Sequence, residues 1–230
     1  MMRAEQRLGL VDDHLVATPE GDLLHPAAAQ AFTEMQATAS AEGINLAIAS
    51  GFRSFERQRI IWNRKWCGER VINDKQGRPL DPACLSDEQK LHAILHWSAL
   101  PGASRHHWGT DIDIWDPSGF GNHHQLQLIP DEYEQPGAPC YTLWCWLKAH
   151  AKEYGFFFPY EVYQGGVARE PWHLSYRPIA HSIQHALTLE ELTQAIKTAD
   201  VEGKVTILEH LGAIKQRYFD TICGENTGDE

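Results

Sequence analysis

Ser104-Arg105-His106-His107-Trp108-Gly109-Thr110-Asp111-Ile112-Asp113 constrains this chain more than any other stretch, because it sets two histidines and two aspartates around one glycine directly after the Pro101-Gly102 turn. Such a density of metal-ligating side chains marks half of a metal site. A catalytic zinc ion takes three protein ligands from His and Asp or Glu and keeps a further position open, so a third ligand and a base are to be sought elsewhere. His106 and Asp113 are seven residues apart and would face opposite sides of one straight strand. The chain has to bend between them, and Gly109 permits the bend. From Asp111 to Trp115 acidic and apolar residues alternate, which predicts a strand with Ile112 and Ile114 on its core face and Asp111, Asp113 and Trp115 on the other. Local reasoning leaves open which of His106 and His107, and which of Asp111 and Asp113, binds metal.

The complement lies in Glu170-Pro171-Trp172-His173. On a regular strand Glu170 and His173 would diverge, but Pro171 cannot donate a ladder hydrogen bond and favours a strand start or bulge, where an irregular backbone turns both toward one ion. His173 then completes a His, Asp, His set and leaves Glu170 as base. A third segment, Ser50 to Gln58, reads as the end of a strand, a glycine bend and a helix capped by Ser54, with Arg53 at the junction as an anion clamp. His92 and His96 are one helical turn apart but lack the carboxylate of a HExxH helix and read as helix-surface or packing residues, and the adjacent His123 and His124 would splay apart and read as non-ligands.

The remaining signals set the fold class. Pro19-Glu20-Gly21-Asp22 marks a turn between two short apolar runs; Pro26 opens a helix to about Ala41, and residues 44–50 form a short strand. A capping box from Ser86 to Gln89 starts a helix to about Ser98, residues 117–140 read as a long surface loop, and a helix from Tyr141 to Tyr154 stops at Gly155. Phe156 to Phe158 is a buried strand. After Arg177-Pro178 a second capping box, Thr188 to Glu191, opens a helix to about Ala199, and helical spacing returns over residues 205–222. The expected class is α+β: a small antiparallel sheet carrying the site, flanked by helices, with a C-terminal helical hairpin. Residues 1–180 form the domain, and residues 181–230 are a helical extension packed on it, ending in an acidic tail.

Composition excludes some partners. With 31 acidic against 20 basic side chains and a formal charge of -11, the chain lacks the clustered cations a phosphate backbone requires, so no nucleic acid is expected. The charged Met1–Arg7 segment lacks a signal's apolar core and nothing later spans a membrane, which predicts a cytosolic protein. Five cysteines, odd in number and without a CxxC pair, predict neither a disulfide framework nor a structural zinc clip, but thiols that are for the most part reduced and buried.

With these pieces assembled, the chain resembles the zinc D-Ala carboxypeptidases of the VanY and VanX type. Ser50-Gly51-Phe52-Arg53-Ser54 with Gln58 follows the family's SGYRS…Q pattern; Ser104, His106, Gly109 and Asp113 follow SxHxxGxxxD; Glu170-Pro171-Trp172-His173 follows EPWH. The likeness covers roughly residues 25–178 and leaves the helical tail outside. It implies Zn2+ on His106, Asp113 and His173, Glu170 as catalytic base, Arg53 as oxyanion or substrate clamp, and Ser104 and Gln58 lining the substrate site. Arg105 is a further candidate for a substrate carboxylate. The chain departs from the pattern at Asp111, where many relatives have Ala; the extra carboxylate either meets substrate or orients a ligand histidine. The implied partner is a peptidoglycan-derived peptide. Trimming tetrapeptides (an L,D bond) in cell-wall recycling suits a cytosolic enzyme better than trimming the pentapeptides needed for cross-linking (a D,D bond). Rival readings are a D,D-carboxypeptidase, a peptidoglycan endopeptidase resembling a phage lysin, and a non-catalytic muropeptide binder.

Overall fold

The computed structural model describes residues 2–121 and 125–224, so His123, His124 and all of the acidic tail after Gly224 lie outside the described residues. A one-turn helix, α1 (Ala4–Arg7), precedes a hairpin of β1 (Val16–Ala17) and β2 (Leu23–Leu24). Helix α2 (Pro26–Ala41) follows with Pro26 in its first turn, then strand β3 (Ala47–Ser50) and helix α3 (Phe55–Trp66), whose cap Ser54 accepts from the Arg57 amide. The irregular region after α3 holds an unanticipated hairpin, β4 (Ile72–Asn73) with β5 (Pro79–Leu80). Helix α4 (Asp87–Leu95) starts at the Ser86–Gln89 capping box. Strand β6 (Asp111–Trp115) then carries the alternating segment.

The expected loop after β6 contains a one-turn helix, α5 (Asp131–Glu134), because the Glu132 carboxylate is buried and accepts the backbone amides of Gln127 and Leu128, which pulls that segment inward. Helix α6 (Tyr141–His150) tightens into a 3-10 turn that ends at Gly155. Strands β7 (Phe156–Phe157) and β8 (His173–Tyr176) follow. Helix α7 (Arg177–Ala186) occupies a stretch read only as a boundary: Pro178 lies in its first turn, where proline's missing N–H costs nothing. Helices α8 (Leu189–Thr198) and α9 (Lys204–Ile214) form the C-terminal pair, and α9 continues as a π-helical turn over Lys215–Asp220.

The α+β architecture is built on a four-stranded antiparallel sheet of order β3-β6-β8-β7. Two apolar clusters flank the site. One contains Phe32, Met35, Leu46, Ile112, Ile114, Leu143 and Leu174, between the sheet and helices α2 and α6. The other contains Trp62, Leu91, Trp108, Ile183, Leu192, Ile207 and Phe219, which joins α3 and α4 to the C-terminal helices. All five cysteines are free, but only Cys140 is buried, and the expectation of buried thiols is corrected for Cys67, Cys84 and Cys145. These three are exposed because they occupy the end of α3, a surface turn, and the side of α6 opposite its buried Leu143, Trp146 and Leu147.

Candidate metal centre

Strands β6 and β8 pair with Asp113 opposite His173, Ile112 opposite Leu174, and Asp111 opposite Ser175. Since side chains alternate along a strand, Ile112 and Leu174 enter the core, whereas Asp111, Asp113, His173 and Ser175 share the other face. His106 reaches that face from a 3-10 turn, Arg105–Trp108, that ends in Gly109 with φ +67. Any Cβ at Gly109 would lie 2.8 Å from the His25 backbone nitrogen, so both the bend and the close approach require glycine.

His106, Asp113 and His173 each offer a ligand atom, all within 4.8 Å of one another, and all three residues are buried. The His106 Nδ1 bonds the Gly51 carbonyl at 2.9 Å, which leaves Nε2 as the free lone pair, 3.4 Å from Asp113 Oδ2. At His173 the order is reversed: Nε2 bonds Asp111 Oδ1 at 3.0 Å, and Nδ1 lies 3.5 Å from Asp113 Oδ1 and 3.1 Å from Glu170 Oε2. Each imidazole therefore spends one nitrogen on an oxygen partner and turns the other toward Asp113, as metal-bound histidines do. Asp113 Oδ1 is buried without a hydrogen-bond partner. An orphaned carboxylate oxygen is costly unless a cation takes it up, and two imidazoles with one carboxylate are the donors of a catalytic zinc site, so the residues fit Zn2+.

The electrostatics agree. Burial opposes ionisation of Asp113, but the charges of His106, His173 and Arg53 outweigh it and hold the carboxyl below its usual range. Burial likewise disfavours a charged His173, yet hydrogen bonds to Asp111 and Glu170 and the charge of Asp113 raise it to about 9 without metal. Burial lowers Arg53, partly offset by Asp113 and Glu170.

Arg53, Ser104, Arg105, His106, Asp113, Glu170 and His173 line one cleft of about 820 Å³. Three residues read as substrate contacts are placed differently. Gln58 is fully buried; it accepts from Arg53 Nη1 at 3.0 Å and donates to the Ala99 carbonyl at 2.7 Å, so it holds the arginine and leaves the cleft wall to it. Asp111 has no exposed surface: its oxygens take Arg105 Nε at 2.7 Å, the Thr110 hydroxyl at 2.8 Å and the Ser175 hydroxyl at 3.1 Å besides His173. Arg105 reaches the cleft's edge, but its guanidinium is spent on Asp111, Ser175 and Gln184. Burial opposes the Asp111 charge, and Arg105 with His173 overcomes it, so the carboxylate stays ionised. His107, the alternative ligand, points elsewhere: Nδ1 lies 2.6 Å from the Arg53 carbonyl and Nε2 accepts the Gly102 amide at 3.0 Å, and burial depresses it to about 3. His92 and His96 bond Tyr218 and the Gly166 carbonyl, outside the ligand set.

Sequence reading passed over Tyr160, whose ring meets His173 edge-on at 5.1 Å, and Lys65 in the cleft wall. It also missed Gln184, which accepts from Arg105 and donates toward the Phe219 and Asp220 carbonyls. None of these lies in a motif; only a buried glutamine on an otherwise apolar helix face gave any signal.

Residues 21–179 match the profile of the family described as VanY, D-alanyl-D-alanine carboxypeptidase. The chain belongs to the VanY family. The match takes in every metal-centre residue named above and stops short of Gln184, α8 and α9. Among similar proteins, an uncharacterized protein of Haemophilus influenzae is 37% identical over 122 residues, 52% of this chain and 92% of that one. A D-alanyl-D-alanine carboxypeptidase of Enterococcus faecalis is 28% identical over 159 residues, 66% of this chain but 49% of that enzyme. Among solved structures, the LdcB LD-carboxypeptidase superposes with TM-score 0.52 at 25% identity, covering 79% of this chain and 78% of that one. No helix among the described residues is long and apolar enough to cross a membrane.

Proposed function

We propose that this VanY-family chain is a zinc carboxypeptidase that removes the C-terminal D-Ala of peptidoglycan stem peptides, with His106, Asp113 and His173 as ligands and Glu170 as base. The observation that carries it is the meeting of three ligand atoms beside a fourth, non-ligand carboxylate in one cleft. Bound there, Zn2+ supplies a Lewis acid that polarises the scissile carbonyl and acidifies water. Glu170 accepts the proton of the attacking water and hands it to the leaving amine. Arg53, aimed by Gln58 and Ser50, offers its guanidinium to the developing oxyanion or the terminal carboxylate. Asp111 positions His173 by holding Nε2, and Arg105 with Gln184 fixes Asp111 in turn.

Within this proposal the scissile bond is the L,D bond of a tetrapeptide, the reaction belongs to cytosolic turnover of wall fragments, and residues 181–230 are an extension of the same domain. Likeness to LdcB supports the L,D choice, while the family's description and the Enterococcus faecalis relative favour a D,D bond. Products decide between them: D-Ala is expected from a tetrapeptide, and release from the pentapeptide alone would refute the L,D assignment.

Metal uptake should be coupled to protons. In the metal-free protein His173 is raised above its unfolded value, so its contribution to stability is fully present below about pH 6.5 and is lost as pH rises through about 9. To serve as a ligand through Nδ1, His173 would have to give up that proton. Affinity should climb with pH to about 9, and calorimetry in buffers of different ionisation enthalpy near neutral pH should count about one proton released per ion. A count of zero would show that metal binding does not take a proton from His173.

A further inference from the structure

The cleft wall beyond the ligands is cationic in a protein of net charge -11: Arg53, Arg57, Lys65 and Arg70 all line it. Arg53 is committed to Gln58, Ser50 and, at 3.9 Å, Asp113. The other three make no ion pair with a carboxylate among the described residues. The acids of this wall are Glu69, which sits 3.5 Å from Arg64, and Glu170. Lys65 is half-buried in the last turn of α3 with Ser98 Oγ as its side-chain partner, one acceptor for three ammonium donors. Burial, and then the neighbouring Arg70 and Arg53, depress it to about 8. Glu170 opposes that shift from across the cleft but makes no ion pair with Lys65, and a partly desolvated ammonium beside guanidiniums is unfavourable until an incoming anion relieves it.

We infer that Lys65, Arg70 and Arg57 form a subsite for a second carboxylate of the substrate peptide, distinct from the terminal carboxylate. The inference rests on the carboxypeptidase reading and adds a substrate class to it. One terminal carboxylate needs one guanidinium, and Arg53 with Ser104 supplies it; three further cations answer to a further anion. Stem peptides offer this in two places: the side-chain carboxylate of a diaminopimelate centre and the free carboxylate of a γ-linked glutamate. A lysine centre presents an ammonium alone and is repelled by the same wall.

The test uses the zinc-loaded full chain and tetrapeptides that differ at one group: a diaminopimelate centre, the same centre amidated on its side chain, a lysine centre, and an amidated glutamate. D-Ala release gives kcat/KM, and calorimetry on Glu170→Gln gives Kd without turnover. The expected result is a loss of about tenfold or more in both quantities when the recognised carboxylate is amidated, shrinking at high salt and abolished in Lys65→Met/Arg70→Met. The amidated position that causes the loss identifies the carboxylate. Equal binding of all four peptides, or a preference that survives the double substitution, overturns the subsite. If the binding preference stands while no peptide is cleaved, the carboxypeptidase reading fails and the subsite does not.

Discussion

Glu170→Gln should lower kcat/KM by roughly 10²–10⁴-fold while zinc stays bound, because the substitution removes the proton acceptor but keeps all three ligand residues, His106, Asp113 and His173. Metal content by elemental analysis and D-Ala release from a stem peptide, measured on the same sample, check both halves. A non-catalytic binder would keep its peptide affinity and have no turnover to lose. Loss of zinc along with activity would mean that the 3.1 Å contact between Glu170 and His173 Nδ1 reflects a fourth ligand and not a base. The amide is nearly isosteric with the carboxylate, so a folding defect is not the expected cause of any loss.

Arg105→Met should destabilise the fold by about 3 kcal/mol, since it leaves the Asp111 charge, at a site with no exposed surface, with His173 and two hydroxyls as its remaining partners. For a chain of this size that lowers Tm by roughly 10 °C. The double variant Arg105→Met/Asp111→Leu removes the stranded charge and should recover most of the loss, the pattern of coupled neighbours. Zinc affinity should separate from stability in that double variant: with Nε2 of His173 unheld, it should stay about 10–100-fold weaker than in the parent. Thermal melts with and without zinc, and competition with a chelator of known affinity, supply the two readouts. Full recovery of zinc affinity would remove Asp111 from any positioning role.

The parts of this molecule that could be read from residues were those governed by short-range rules. Alternation along Asp111–Trp115 gave the strand and its two faces, and the Ser86 and Thr188 capping boxes gave two helix starts. Pro171 gave the irregular approach to β8, and the order of three motifs gave residues that the fold brings into one cleft. What escaped depends on contacts across the chain. Nothing local shows that Gln58 turns back to hold Arg53, or that a buried arginine six residues before Asp111 occupies that carboxylate and keeps it from substrate. Helix α7 was hidden because Pro178 signals a stop when read as an interior residue and a start when read in a first turn. The choice of His106 over His107 depends on which carbonyl each ring finds, Gly51 or Arg53, and both lie more than fifty positions upstream.

Gln184 carries a consequence for the ensemble. It lies on α7, past the family's matched span, accepts from Arg105 and donates toward the carbonyls of the π-helical turn at Phe219 and Asp220. Contacts thus run without a break from His173 through Asp111 and Arg105 to that turn, and the expected result is that metal occupancy and docking of the turn are coupled. An ion that favours the held rotamer of His173 favours the docked arrangement of that turn, and any fluctuation that lifts the turn lowers affinity for the ion by the same factor, since coupling free energy is reciprocal. Hydrogen exchange of the amides in residues 215–220 thus becomes a remote gauge of whether the centre is filled.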